Sequence, residues 1–127
     1  MKGNAAVLIL DEQDRVLILK RTTKAWWMPG KWGLPGGRID SGENSPGAVI
    51  RETKEETDLD IDISDLVCLK EFSNEVVDIY YCGHHSGTVR IGVEHDDFEW
   101  VTRDGIEDYQ TTPNLIEAFD WILKNER

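Results

Sequence analysis

Glu52, Glu55 and Glu56 stand three and four residues apart in the segment GAVIRETKEETDL. At 3.6 residues per turn, that spacing lets all three carboxylates project from one helical face. Like charges so placed destabilise an isolated helix, and a cation bridging them removes the penalty. Carboxylate oxygens are hard ligands, suited to Mg²⁺ or Mn²⁺, and such ions are commonly shared between one or two carboxylates and the phosphates of a substrate. Just upstream lie the pair Gly36-Gly37, a lone Glu43, and Arg51 immediately before Glu52. The residue types together point to phosphate chemistry.

The order is Gly37, five residues, Glu43, seven residues, Arg51-Glu52-Thr53, one residue, Glu55-Glu56, one residue, Asp58-Leu59. This pattern resembles the signature of the Nudix (MutT-like) hydrolases, with one departure. Asp58 stands where the family normally has the glycine that ends the helix in a left-handed conformation; Asp is among the few other residues that visit it. The flanks extend the likeness. Trp32-Gly33-Leu34-Pro35-Gly36-Gly37 is similar to the family's entry segment, Val16 to Arg21 to its second strand, and Glu94, six residues before Trp100, to its distal catalytic loop.

The resemblance implies roles, residue by residue. Glu55 and Glu56 are metal ligands, with the carbonyl of Gly37 as another. Glu52 is a ligand or the general base, and Glu94 competes for the same role. Glu43 and Arg51 form an ion pair that orients the site. Arg21 and Arg38 are candidates for phosphate contacts, the latter through a charge-assisted hydrogen bond. Trp26 and Trp27 sit in a loop beside the site. A base could stack on Trp27, although the simpler expectation is that one of the two packs under the loop. Tyr80, sharing a strand face with Asp78, is a candidate for lining the substrate pocket.

Positioning these groups requires a particular set of elements. Ala5–Leu10 is an apolar run suited to a strand buried on both faces, and Arg15–Arg21 returns as a second strand after a polar turn. Pro29-Gly30 marks a turn within the loop 22–31. Asn44 or Ser45 caps the glutamate helix, and Pro46 is tolerated in its first turn. Ala48, Val49 and Thr53 mark the face that packs on the sheet. Strands are expected at Ile61–Phe72, Val76–Cys82, Thr88–Ile91 and Phe98–Val101. After Thr112-Pro113, Leu115, Ile116, Phe119, Ile122 and Leu123 recur at helical spacing. Strands mixed with two helices indicate an α/β sandwich. The resemblance sharpens this to the Nudix fold, an α/β/α sandwich with a mixed β-sheet between helices, as a single domain over residues 1–127.

Composition narrows the partners. With 14 basic against 25 acidic residues, the formal charge is −11. A nucleic-acid backbone or an anionic membrane would need a basic face, so neither is expected. No apolar run approaches a membrane span, and the N-terminus lacks the apolar core and cleavage site of a signal peptide, which makes a cytoplasmic location the expectation. Cys68 and Cys82 read as small buried hydrophobes in strands. Adjacent His84 and His85 would point to opposite faces of a strand and form no natural chelate; His95 stands alone in an acidic loop.

The expected function is therefore a Mg²⁺- or Mn²⁺-dependent pyrophosphohydrolase acting on a nucleoside diphosphate linked to another group, with a nucleoside triphosphate as the leading substrate. Dinucleoside polyphosphates and ADP-ribose are the enzymatic alternatives. The resemblance implies a further distinction: subgroups of that family are told apart by a proline or tyrosine beyond the motif, and the absence of proline between Pro46 and Pro113 counts against ADP-ribose. A non-catalytic nucleotide-sensing module is the alternative of another class, and pairing into a homodimer is an expectation the family suggests.

Overall fold

In the computed structural model, which describes residues 3–127, apolar alternation along two central strands builds two cores. Met1 and Lys2, the first residues of the expected domain, lie outside the described residues. Strands β1 (Asn4–Ile9) and β2 (Val16–Arg21) are joined by a tight turn, and Leu10 bridges to Val16 at its mouth. Val7, Ile9, Leu17 and Leu19 face one core; Leu8, Leu10, Val16 and Ile18 face the other. Side chains alternate with period two in a strand, so a run apolar at every position must be covered on both faces.

Two helices provide the cover. Helix α1 (Ser45–Thr57) lays Ala48, Val49 and Thr53 inward, and Val49 joins the first core. Helix α2 (Leu115–Asn125) presents Leu115, Ala118, Phe119 and Ile122 to the second. The expected inward stripe of α2 is present, with Ile116 and Leu123 at its half-buried margin.

Between the helices lie two sheets. One has the order β4 (Gly36–Arg38), β1, β6 (Val77–Cys82) and β5 (Leu66–Cys68). It is mixed: β1 runs parallel to β6 and antiparallel to β4. The other is antiparallel, in the order β3 (Trp32–Gly33), β2 and β7 (His95–Val101). The architecture is the α/β/α sandwich that the resemblance implies, refining the α/β sandwich read from the strand and helix signals.

Several local expectations are corrected. The segment 61–72 is not one strand; a three-residue strand is flanked by 3-10 turns at Ile63–Asp65 and Lys70–Phe72. The side chain of Asp62 accepts a hydrogen bond from the Ser64 amide and so closes the first turn instead of extending the ladder. Thr88–Ile91 forms no strand because the Arg90 amide donates to the carbonyl of Thr57 at the end of α1. β7 begins at His95, earlier than Phe98, and His95 is buried rather than in a loop. Strands β3 and β4 are too short to carry a periodic signal. Cys82 is buried as expected, but Cys68 is exposed on the short strand β5.

Candidate active site

The glutamate helix is set at both ends. Asn44 caps it, its side-chain oxygen accepting from the Gly47 amide at 2.9 Å. At the other end Asp58 adopts φ 64°, ψ 12°, and its amide donates to the Lys54 carbonyl at 3.0 Å. The left-handed cap usually supplied by glycine is thus formed by aspartate, and the departure from the motif leaves the helix terminus intact.

Glycine then brings β4 against α1. A Cβ on Gly36 would collide with the carbonyl oxygen of Ala5, so only glycine lets β4 lie this close to β1. A Cβ on Gly37 would stand 2.6 Å from the Glu52 carboxyl carbon. The backbone at Gly37 therefore lies directly against the Glu52 carboxylate.

Arg51 ties the acidic groups together. It holds Glu43 through two hydrogen bonds, Nε to Oε2 at 2.6 Å and Nη2 to Oε1 at 3.0 Å. Nη1 reaches Glu52 at 3.1 Å and Glu55 at 3.3 Å, and Nη2 also donates to the Arg38 carbonyl at 2.9 Å. Glu43 in turn accepts from the Asp40 amide at 2.9 Å, which fixes the loop before the helix. The Arg51 hydrogen bonds lead in holding the Glu43 carboxyl below its usual range. The guanidinium is thus the hub between the glycine strand and the helix.

Glu52, Glu55, Glu56 and Glu94 line one cleft of about 100 Å³, with Gly92, Val93 and His95. Glu56 is only 8% exposed. Burial pushes its carboxyl up to about 8; the Gly36 amide, donating at 2.8 Å, opposes the shift, while the charges of Glu52 and Glu94 add to it. Burial likewise raises Glu52, against the pull of Arg51. Carboxylates crowded in this way invite a cation.

Whether the donors suit such an ion can be judged from their chemistry. All four side chains offer hard oxygens. Among the described residues, no three carboxylate, imidazole or thiol groups converge tightly enough to enclose a cation by themselves. Small divalent cations such as Mg²⁺ and Mn²⁺ complete their shells with water, backbone carbonyls and substrate phosphates, so they need only one or two protein carboxylates. The donor set fits the group.

The remaining candidates fall in different places. Arg21 ends β2 opposite His95 in β7, so it stands at the rim of the cleft. Its Nε donates to the carbonyl of Trp27 at 2.7 Å and its guanidinium lies 5.1 Å from the Trp27 ring centre. Trp26 and Trp27 are 94% and 44% exposed, so neither packs under the loop as expected. Arg38 is exposed, and it meets Arg51 through its carbonyl. Tyr80 lies in the core beneath α1, with its hydroxyl 2.9 Å from that of Ser45; it supports the start of the helix and does not line the carboxylate cleft.

His95 is the residue that sequence reasoning passed over. It lines the cleft and is buried, and its Nδ1 has no hydrogen-bond partner among the described residues. Burial, then the nearby charge of Arg21, holds the imidazole below its usual range. Its position next to Glu94 was the available signal. A larger hollow of about 350 Å³ lies toward the other end of β7, beside Leu59, His85, Phe98 and Trp100. Its charged members Asp11 and Arg15 already pair at 2.8 Å, and it holds none of the motif glutamates.

The NUDIX domain family model matches residues 2–122. The chain belongs to the Nudix family. A MutT protein from Methanosarcina mazei Go1 has a solved structure 28% identical to this Nudix chain, with a TM-score of 0.73, covering 96% of this chain and 94% of that one. A Caenorhabditis elegans protein bearing the nudix hydrolase name is 31% identical over 93% of the chain, which spans only 32% of that relative's length. A Proteus vulgaris 8-oxo-dGTP diphosphatase is 37% identical over 57 residues, 45% of this chain and 50% of that protein. Two Bacillus subtilis relatives are also longer, the match spanning 28% and 32% of them. The matched residues thus span about a third of the length of the first curated relatives.

Proposed function

We propose that this Nudix chain is a pyrophosphohydrolase, dependent on Mg²⁺ or Mn²⁺, that cleaves a nucleoside triphosphate into the nucleoside monophosphate and pyrophosphate. The observation that carries the reading is the cleft shared by Glu52, Glu55, Glu56 and Glu94, with the Gly37 backbone against one of its walls. Glu55, Glu56 and the Gly37 carbonyl are the assigned ligands, joined by Glu52 or Glu94. A bound divalent cation would neutralise phosphate oxygens and lower the pKa of the attacking water.

The chain's own groups have separable tasks. Glu52 or Glu94 accepts the proton of the water as its oxygen bonds to phosphorus. The bridging P–O bond breaks, and the departing phosphate carries away its electron pair. Arg51 and Glu43 hold the helix carboxylates in place without touching the substrate. Arg21, at the cleft rim, takes a phosphate oxygen. The triphosphate assignment draws support from the relative named for 8-oxo-dGTP, whose match covers less than half of this chain.

The test is a phosphate-release screen with Mg²⁺ and with Mn²⁺, over nucleoside triphosphates, oxidised dNTPs, ADP-ribose, nucleotide sugars and dinucleoside polyphosphates. Turnover of the triphosphates that falls by orders of magnitude in Glu56→Gln is the expected result. Turnover confined to ADP-ribose or to dinucleoside polyphosphates would reassign the substrate. Nucleotide binding with no turnover of any compound would make the chain a sensor.

A further inference from the structure

Arg21 is unusual in its surroundings. The chain carries 25 acidic residues, and this arginine stands at the rim of a cleft lined by four glutamates. Yet among the described residues its guanidinium makes no salt bridge to any carboxylate. Trp27 explains why. The carbonyl of Trp27 takes up Nε at 2.7 Å, and the indole covers the guanidinium at 5.1 Å. That leaves the two terminal nitrogens without a protein acceptor among the described residues. Such a fork matches two oxygens of a phosphate.

The loop that presents Trp27 is tied down at its base. The Arg21 amide donates to the Lys31 carbonyl at 2.9 Å, and the Gly30 amide donates to the Arg21 carbonyl at 3.1 Å. Met28 at φ 48° and Gly30 at φ 75° turn the chain back between them. Trp27 therefore meets Arg21 from a closed loop whose two ends flank that arginine. A flexible guanidinium beside four carboxylates would otherwise swing to one of them, losing its fork and neutralising a group needed for the cation.

We infer that Trp27 is a positioning residue: its ring and carbonyl hold Arg21 away from the cleft glutamates, with its fork open for the diphosphate of the substrate. The inference rests on the pyrophosphohydrolase reading above, and it gives Trp27 a different task from stacking on a nucleobase. Because the indole acts through Arg21, its contribution is the same whatever base the substrate carries. It vanishes when Arg21 is absent.

Two probes separate the readings: imidodiphosphate, which has no base, and a non-hydrolysable α,β-imido nucleoside triphosphate. Their affinities are measured calorimetrically on the Mg²⁺-loaded full chain, for wild type, Trp27→Ala, Trp27→Phe, Arg21→Ala and the Arg21→Ala/Trp27→Ala double variant. A cation–π contact of this kind predicts that Trp27→Ala weakens both probes by the same factor, about five-fold. Trp27→Phe keeps a ring over the guanidinium and stays within about two-fold of wild type. In the Arg21→Ala background, losing the indole changes nothing further, the signature of complete coupling. Loss confined to the nucleoside probe, or persisting without Arg21, would overturn the inference and assign the ring to base stacking. Wild-type affinity in Trp27→Ala for both probes would overturn it too. Those outcomes leave the enzyme reading standing, whereas a wild-type protein that binds neither probe with Mg²⁺ sinks both.

Discussion

Glu56 carries two opposed demands, and its protonation should reveal them. It occupies the inward stripe of α1, where a carboxylate is costly, yet the proposed function makes it a metal ligand that must be charged. In the metal-free protein its carboxyl lies near 8 when folded, against an ordinary value of 4.5 when unfolded. Between those values the folded chain binds more protons than the unfolded one, so stability is fully present below the lower value. It is lost as pH rises through the upper one. Chelated wild type should therefore lose stability from pH 5 to 8.5, by on the order of a few kcal/mol. Glu56→Gln should flatten that slope, and urea titrations at several pH values would show it. Gly37→Ala addresses the neighbouring constraint. Its methyl would displace the Glu52 carboxylate, so kcat should fall by about 10- to 100-fold, the loss expected when support for metal ligands is disturbed. Steady-state kinetics, with the fold checked by circular dichroism, gives the answer.

At the scale of elements, α1 is the part that must be placed correctly, and its C-terminal cap departs from the family pattern. A left-handed residue other than glycine costs about 1–2 kcal/mol, somewhat less for Asp. The Asp58–Lys54 ion pair at 3.2 Å is exposed and returns little of that cost. Asp58→Gly should consequently raise the thermal midpoint, by about 0.5–1 kcal/mol in stability, with activity unchanged. A lowered midpoint in a thermal melt would mean that the aspartate cap is favourable as it stands. The helix was legible in the chain because its signals are local: Asn44, Pro46, three inward apolar or small residues, and a left-handed stop. The segment 61–72 was not, because local side-chain hydrogen bonds from Asp62 and Ser73 divide what composition presents as one apolar stretch.

For the whole molecule, the acidic balance and the two cores make separate predictions. A cation that binds only the folded cleft raises apparent stability by about 2.7 kcal/mol at one hundred times its Kd. Adding Mg²⁺ at pH 8 should therefore lift the thermal midpoint of wild type far more than that of Glu56→Gln. An equal rise in both would place the ion on the diffuse surface charge instead. Phe119 is fully buried on the inward face of α2, remote from the motif. Phe119→Ala should cost about 3–5 kcal/mol while leaving kcat of the folded fraction close to wild type. Denaturant unfolding beside activity measurements would test that separation.

Spacing along the chain was enough to put three carboxylates on one helix face, because residues three and four apart share a face whatever surrounds the helix, and the fuller run from Gly37 to Leu59 carried the resemblance to the Nudix hydrolases. Two strands apolar at every position likewise required cover on both faces, and hence a layered sandwich. What the chain order could not express is which distant groups meet. His95 enters the cleft because β7 pairs with β2 from Arg21 onward, a register decided by the full sheet. Tyr80 lies outside the carboxylate cleft because parallel pairing of β6 with β1 turns it under α1. Arg21 finds Trp27 through a loop closed by backbone hydrogen bonds and two left-handed residues. Each of these depends on contacts across long separations, where pairing and packing of the whole fold outweigh any preference carried by neighbours in sequence.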